Sequence, residues 1–240
     1  MIEIVSVAFL TVLASGVGTL TGFGTSTILV PALLIIFPLP QTLLLVGVIH
    51  WFGNVWKVWL FRSSLQWKIL LAFGVPGIAA SIAGASLVIR APQTRMTNIM
   101  GLFLVGYALF LILKPNFKLR QNILLASSGG ALSGFMAGIF GIGGAVRSAF
   151  LSMFDLPKEI YIFTAGAIAL AIDSARLATY WAGGARLETL LLGGLLLFVP
   201  ASFLGAKIAQ RLAAGIPQKK FRPVVMAFLF LVGVRLLLVS

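Results

Sequence analysis

"TGFGTSTILVPALLIIFP", residues 21 to 38, sets five small or hydroxyl-bearing residues between two strongly apolar stretches. Gly22, Gly24, Thr25, Ser26 and Thr27 interrupt a segment that would otherwise continue as one helix. The apolar run that follows, about 25 to 37, holds about 13 residues and would reach only about 20 Å as a helix, too little to cross a hydrocarbon core of about 30 Å. The stretch therefore reads as a helix broken inside a membrane.

The rest of the chain supports a membrane setting. Of the 240 residues, 60% are hydrophobic and only 10% charged, with a mean hydropathy of +1.10. A water-soluble globule of this size could not bury so much apolar surface in one core. Runs at 41–60, 69–89, 97–113, 187–206 and 223–239 are long enough, or nearly so, to span a bilayer. The formal charge of +13 would suggest nucleic acid in a soluble protein. Here the basic residues fall between apolar runs, so they read as topology signals and no nucleic-acid partner is expected. Cysteine is absent, which excludes disulfides, thiolate metal sites and cysteine nucleophiles. The N-terminal apolar segment lacks a basic n-region, so a cleaved signal peptide is not expected.

Internal similarity organises the remainder. "FPLP" at 37–40 returns as "FDLP" at 154–157, Gly84-Ala85 as Gly205-Ala206, and "FLVGYALFLI" at 103–112 as "FLVGVRLLLV" at 230–239. The matches keep their order, which indicates two repeats, 1–114 and 122–240, joined by a cytoplasmic linker at 115–121. Each repeat divides into five segments: 3–20, 25–37, 41–60, 66–89 and 95–113, then 122–139, 143–154, 158–181, 187–210 and 219–239. The expected fold is all-α: a polytopic integral membrane protein with two inverted-topology repeats, each a broken pair of short helices plus three transmembrane helices.

Charge agrees with this plan. If each broken pair leaves on the side it entered, one side carries Arg62, Lys68, Lys114, Lys118, Arg120, Lys158, Arg211, Lys219, Lys220 and Arg222. The other carries Arg90, Arg95 and Arg186. Ten against three places the first side in the cytoplasm and both termini outside. Three net crossings per repeat turn the second copy upside down relative to the first, a pattern of secondary transporters.

Non-helical backbone at membrane depth survives only where protein or water satisfies it. Breaks at Gly22–Thr27 and Gly141–Gly144 would aim two half-helix N-termini at one midplane point, an arrangement that favours an anion. Gly24, Gly143 and Gly144 would let a ligand approach the backbone, while Thr25, Ser26 and Thr27 would cap the following half-helix. "GIFGIGGAVRSAF", 138–150, adds Arg147, whose counterpart in the first repeat is Ile28 or Val30. An intramembrane arginine is a substrate-binding candidate by default, with a structural pairing as the plainer reading. His50, Asn54 and Lys57 share one helix face at i, i+4, i+7. His50 and Asn54 read equally as anion contacts or as interhelical hydrogen bonds, and Lys57, near a helix end, as a snorkelling side chain. Asp173 and Arg176, one turn apart, read as a structural pair or as a coupling or gating device. Trp51, Trp56, Trp59, Trp67 and Trp181 read mostly as interfacial anchors.

At "GFGTSTILVPALLIIFPLP", "SGFMAGIFGIGGAVRSAFLSMFDLP" and "HWFGNVWKVWLFRSSLQWKILLAFGVPG", and in the duplicated plan, the chain resembles the TauE/SafE-type sulfite exporters. The resemblance covers nearly the whole chain. It implies transport of a small sulfur-containing anion such as sulfite, thiosulfate or sulfoacetate across a bacterial cytoplasmic membrane. The first turn reads Thr25-Ser26-Thr27 where the family commonly has a glycine run.

The leading expectation is thus a small-anion transporter in the cell membrane, with the lipid bilayer as its surroundings and no cofactor or metal. A channel or facilitator is the alternative. A membrane scaffold would not need mid-membrane breaks, and an intramembrane enzyme lacks a motif: Ser26 and His50 are the only conceivable nucleophile and base, with nothing to orient the histidine. Proton coupling, if it operates, would run through Asp173, His50 or the substrate. A homo-oligomer is compatible with this reading.

Overall fold

In lipid, a spanning segment must satisfy its own backbone, and the helix does so locally. The computed structural model describes residues 2–21, 24–62, 64–113, 121–212 and 222–239. The linker thus lies almost wholly outside the described residues, as do Gly22 and Phe23. Ten helices follow in order: α1 (Ile2–Thr21), α2 (Ser26–Leu33), α3 (Leu39–Leu60), α4 (Trp67–Arg90), α5 (Gln93–Leu113), α6 (Ile123–Phe140), α7 (Gly144–Leu151), α8 (Lys158–Ala182), α9 (Thr189–Leu212) and α10 (Arg222–Val239). No strand occurs among the described residues. These bounds follow the expected segments closely, except that α2 ends four residues early and α7 passes into one 3-10 turn at Ser152–Phe154.

Among the described residues five helices are long and apolar enough to cross a membrane: Leu39–Leu60, Trp67–Arg90, Ile123–Phe140, Lys158–Ala182 and Thr189–Arg211. Their outer surfaces carry Leu196, Leu71, Leu192 and Leu124, all largely exposed, as side chains that meet lipid tails should be. By contrast α2 and α7 have 8 residues each, about 12 Å of helix, and cannot span.

Helix packing follows the duplication. α4 packs on α6 as α9 packs on α1, and α4 on α8 as α9 on α3. α3 meets α8, α5 meets α10 and α2 meets α7. Exchanging the first five helices for the last five therefore leaves most of the scheme unchanged, although α2–α10 and α6–α8 have no counterpart of like extent. The α4–α6 seam shows the physical means: Gly130, Gly134 and Gly138 repeat every fourth residue, and a Cβ at Gly134 or Gly138 would overlap the carbonyl oxygen of Gly77 or Ser81. Small residues let the two backbones touch where no hydrophobic effect could draw apolar helices together.

Both expected breaks are present. Gly24 (φ 83°) and Gly141 (φ 71°) take the left-handed conformation that favours glycine, and they stand 117 positions apart, the offset of the "FPLP" and "FDLP" motifs. That offset pairs Arg147 with Val30 rather than Ile28. The expectation that hydroxyls cap the half-helix is corrected. Thr25 is already helical (φ −57°, ψ −40°) and makes no side-chain cap; a capping residue needs a non-helical backbone to reach the free N–H groups. Its Oγ1 donates instead to Ser15 Oγ on α1, at 3.3 Å.

A candidate anion site between the two broken helices

α3 and α8 cross at the centre of the molecule and bring the intramembrane polar residues together. Asp173 on α8 accepts from Arg176 Nε through Oδ1, at 2.7 Å. Its Oδ2 accepts from His50 Nδ1 at 2.8 Å and from Asn54 Nδ2 at 3.1 Å, both on α3. Because a carboxylate only accepts, His50 must carry hydrogen on Nδ1. Nε2 then faces the first break: a Cβ on Gly24 would lie 3.0 Å from it. Nε2 is buried and has no hydrogen-bond partner among the described residues.

Lys57 extends the network by donating to Asn54 Oδ1 at 3.3 Å. Its side chain therefore turns inward, and the snorkelling expectation is corrected. Gly166 on α8 packs beside the lysine stem, where an added Cβ would sit 3.6 Å from Lys57 Cβ. Lys57, Asn54, Gly24 and Arg147 line one cavity of about 60 Å³, together with Gly18 and Thr19 of α1 and Ser148, Tyr161, Ile162, Ala165 and Gly166.

Arg147 is 7% exposed, and no carboxylate lies within ion-pair reach of it among the described residues. The cluster holds three permanent or near-permanent cations, Lys57, Arg147 and Arg176, against one carboxylate, Asp173, which is already held by Arg176. A buried charge without a counter-charge is strongly unfavourable. The cavity is thus an electropositive hole in a low-dielectric wall, suited to a small anion. By the same measure one water needs about 10–15 Å³, so this space takes roughly four to six heavy atoms.

The family model "Sulfite exporter TauE/SafE" matches residues 7–236. The chain belongs to the sulfite exporter TauE/SafE family. No curated protein and no solved structure matches it. Membership in TauE/SafE and the run of apolar helices make the chain a multi-pass membrane transport protein.

Within this TauE/SafE chain, the residues singled out from sequence fall into three groups. Gly24, Asn54 and Arg147 line the cavity, and His50 borders its Gly24 wall. Asp173 and Arg176 stand behind, fixing His50 and Asn54. Thr25, Ser26, Thr27, Gly143 and Gly144 are buried but do not line the cavity. Gly143 abuts α6, where a Cβ would meet the Ser133 carbonyl at 2.5 Å and where its own carbonyl accepts from Ser133 Oγ at 2.8 Å. Ser26 Oγ has no hydrogen-bond partner among the described residues. The expectation that nothing orients His50 is corrected, since Asp173 does so. Its Nε2 nevertheless meets no hydroxyl among the described residues, so Ser26 and His50 are not joined by a hydrogen bond there. Lys57, Ser148 and Tyr161 were not read as site residues. Lys57 shares the His50–Asn54 face, and that was the available signal; the hydrogen-bonded Ser148–Tyr161 pair carries none.

Of the tryptophans, Trp59, Trp67 and Trp181 are exposed anchors. Trp51 instead donates to Ser174 Oγ across the α3–α8 crossing, at 2.8 Å.

Proposed function

We propose that this protein moves a small sulfur oxyanion across the bacterial cytoplasmic membrane by alternating access, with the Gly24, Asn54, Lys57 and Arg147 cavity as its substrate chamber. The observation that carries the reading is Arg147: buried, unpaired by any carboxylate, and pointed into the same space as Lys57. Two cations facing one hole suit a dianion. The size of the hole favours sulfite or thiosulfate over the longer sulfoacetate, which would require the chamber to widen.

The same reading assigns the two repeats, 1–114 and 122–240, to opposite orientations in the bilayer, supported by the exchange symmetry of helix packing. With the basic loops in the cytoplasm, the chamber faces inward and both termini lie outside. Lys57 and Tyr161 sit beside the basic loops at 61–68 and 155–158, which would draw an anion toward the mouth.

Counterflow in proteoliposomes tests the proposal. Radiolabelled sulfite or thiosulfate should move saturably, and Arg147→Ala should lower that movement at least about tenfold through the lost charge-assisted hydrogen bonds. A folded parent protein that moves neither of these anions nor an organosulfonate would refute the transport reading.

A further inference from the structure

The cavity has a counterpart on the other side of the α3–α8 crossing. Gly47 and Gly166, Asn54 and Asp173, Lys57 and Arg176, and Val58 and Leu177 are each 119 positions apart. Their contacts repeat in the same way. A Cβ at Gly166 would meet Val58 Cγ2 at 3.2 Å and Lys57 Cβ at 3.6 Å, while a Cβ at Gly47 would meet Leu177 Cδ2 at 2.7 Å and Arg176 Nη1 at 3.4 Å. Gly141, the second left-handed break, completes the match to Gly24: its added Cβ would lie 3.7 Å from Arg176 Nη1. Arg176 thus stands to Gly47 as Lys57 stands to Gly166; at the breaks the match is looser, since His50 rather than Lys57 lies against Gly24, which shares only the cavity with Lys57.

Arg176 is 1% exposed, yet its Nη1 has no hydrogen-bond partner among the described residues. Asp173 engages Nε and leaves this nitrogen over. A donor buried in this way is expensive to keep unless something else fills it. Val30 Cγ2 and Leu43 Cδ2 pack against the neighbouring Gly141 backbone, each 3.1 Å from the position of a Gly141 Cβ. Beyond Leu43 lies a small apolar hollow of about 20 Å³, walled also by Pro40, Val88, Ile89, Tyr180 and Ala185. Pro40 and Leu43 stand at the start of α3, the end opposite Lys57.

We propose that Arg176 Nη1, with the Gly47 and Gly141 backbones around it, is a second oxyanion half-site, and that Leu43 is the gate that closes it in this conformation. The proposal rests on the transport reading. An anion entering at Lys57 and Arg147 would be handed to Arg176 as Leu43 withdraws, and would leave through the hollow at Pro40 and Tyr180. The gate has its own counterpart: Ile162, 119 positions after Leu43, lines the chamber on the open side.

Binding and transport separate the two half-sites. Radiolabelled thiosulfate counterflow in proteoliposomes and calorimetric thiosulfate binding in detergent should be measured on the parent, Gly47→Ala and Arg176→Gln. Filling the second half-site in Gly47→Ala should cut counterflow at least about tenfold and leave binding within about twofold, and removing its donor in Arg176→Gln should cut counterflow by at least as much. Should Arg176→Gln fail to fold because Asp173 loses its partner, Gly47→Ala decides alone. Counterflow within twofold of the parent in Gly47→Ala would overturn the half-site while leaving the transport reading intact. Parallel loss of binding and counterflow would give Gly47 a structural role only and would also overturn it. A parent that moves no anion removes the transport reading and this proposal together.

Discussion

The two breaks share a backbone and differ in their chemistry. At Gly24 the chain opens on a cavity bordered by Lys57, Asn54 and Arg147; at Gly141 the equivalent space is filled by Val30 and Leu43 against Arg176. Part of the difference is fixed by residue identity. Arg147 occupies the position that Val30 holds in the first half, and Asp173 the position of Asn54. The rest is conformational: Ile162 and Leu43 are both branched and apolar, yet one lines an open chamber and the other a closed one. Two halves with matching helix packing thus present one space lined by cations and one filled by apolar side chains, the asymmetry that the proposed alternation between two sides requires.

The comparison depends first on the crossing that joins the halves. Asp173→Asn removes the one carboxylate there and leaves Arg176 and His50 without their counter-charge; it should destabilise the protein by about 3–5 kcal/mol, read as a lowered Tm in detergent. Leu43→Ala tests the shut half. Truncating this fully packed side chain should cost about 2–5 kcal/mol, and it should make the protein passively leaky to thiosulfate where the parent is tight. The glycines come next. An alanine at a left-handed position costs about 1–2 kcal/mol, so Gly24→Ala and Gly141→Ala should lower Tm alike, while only Gly24→Ala, whose Cβ would press on His50 Nε2, should weaken anion binding. The smallest effect belongs to Trp51→Phe. It deletes one hydrogen bond to Ser174 and should lower stability by about 1 kcal/mol without changing anion binding.

The fold was legible because lipid imposes simple rules. A run of about 13 apolar residues beside a cluster of small ones cannot span, so α2 and α7 could be placed from length alone. The left-handed Gly24 and Gly141 then settled a register that the sequence left between Ile28 and Val30. The site was harder to read. His50 and Asp173 could each be picked out as buried polar residues, but their meeting depends on α3 packing against α8 across 123 positions, which no local pattern encodes. The rule for lysines near helix ends points Lys57 outward, whereas its amine donates to Asn54 one turn back and lines the cavity. Thr25 looked like a cap because hydroxyls before a helix usually are; Ser15 on α1 took its hydroxyl instead.

The most direct test of the central claim is a structure determined with selenite, a heavier analogue of sulfite whose anomalous signal locates it. The account predicts a single strong peak in the membrane interior, bounded by Gly24, Lys57 and Arg147. A peak in the membrane interior away from both this chamber and Arg176, or none while selenite is being transported, would contradict it.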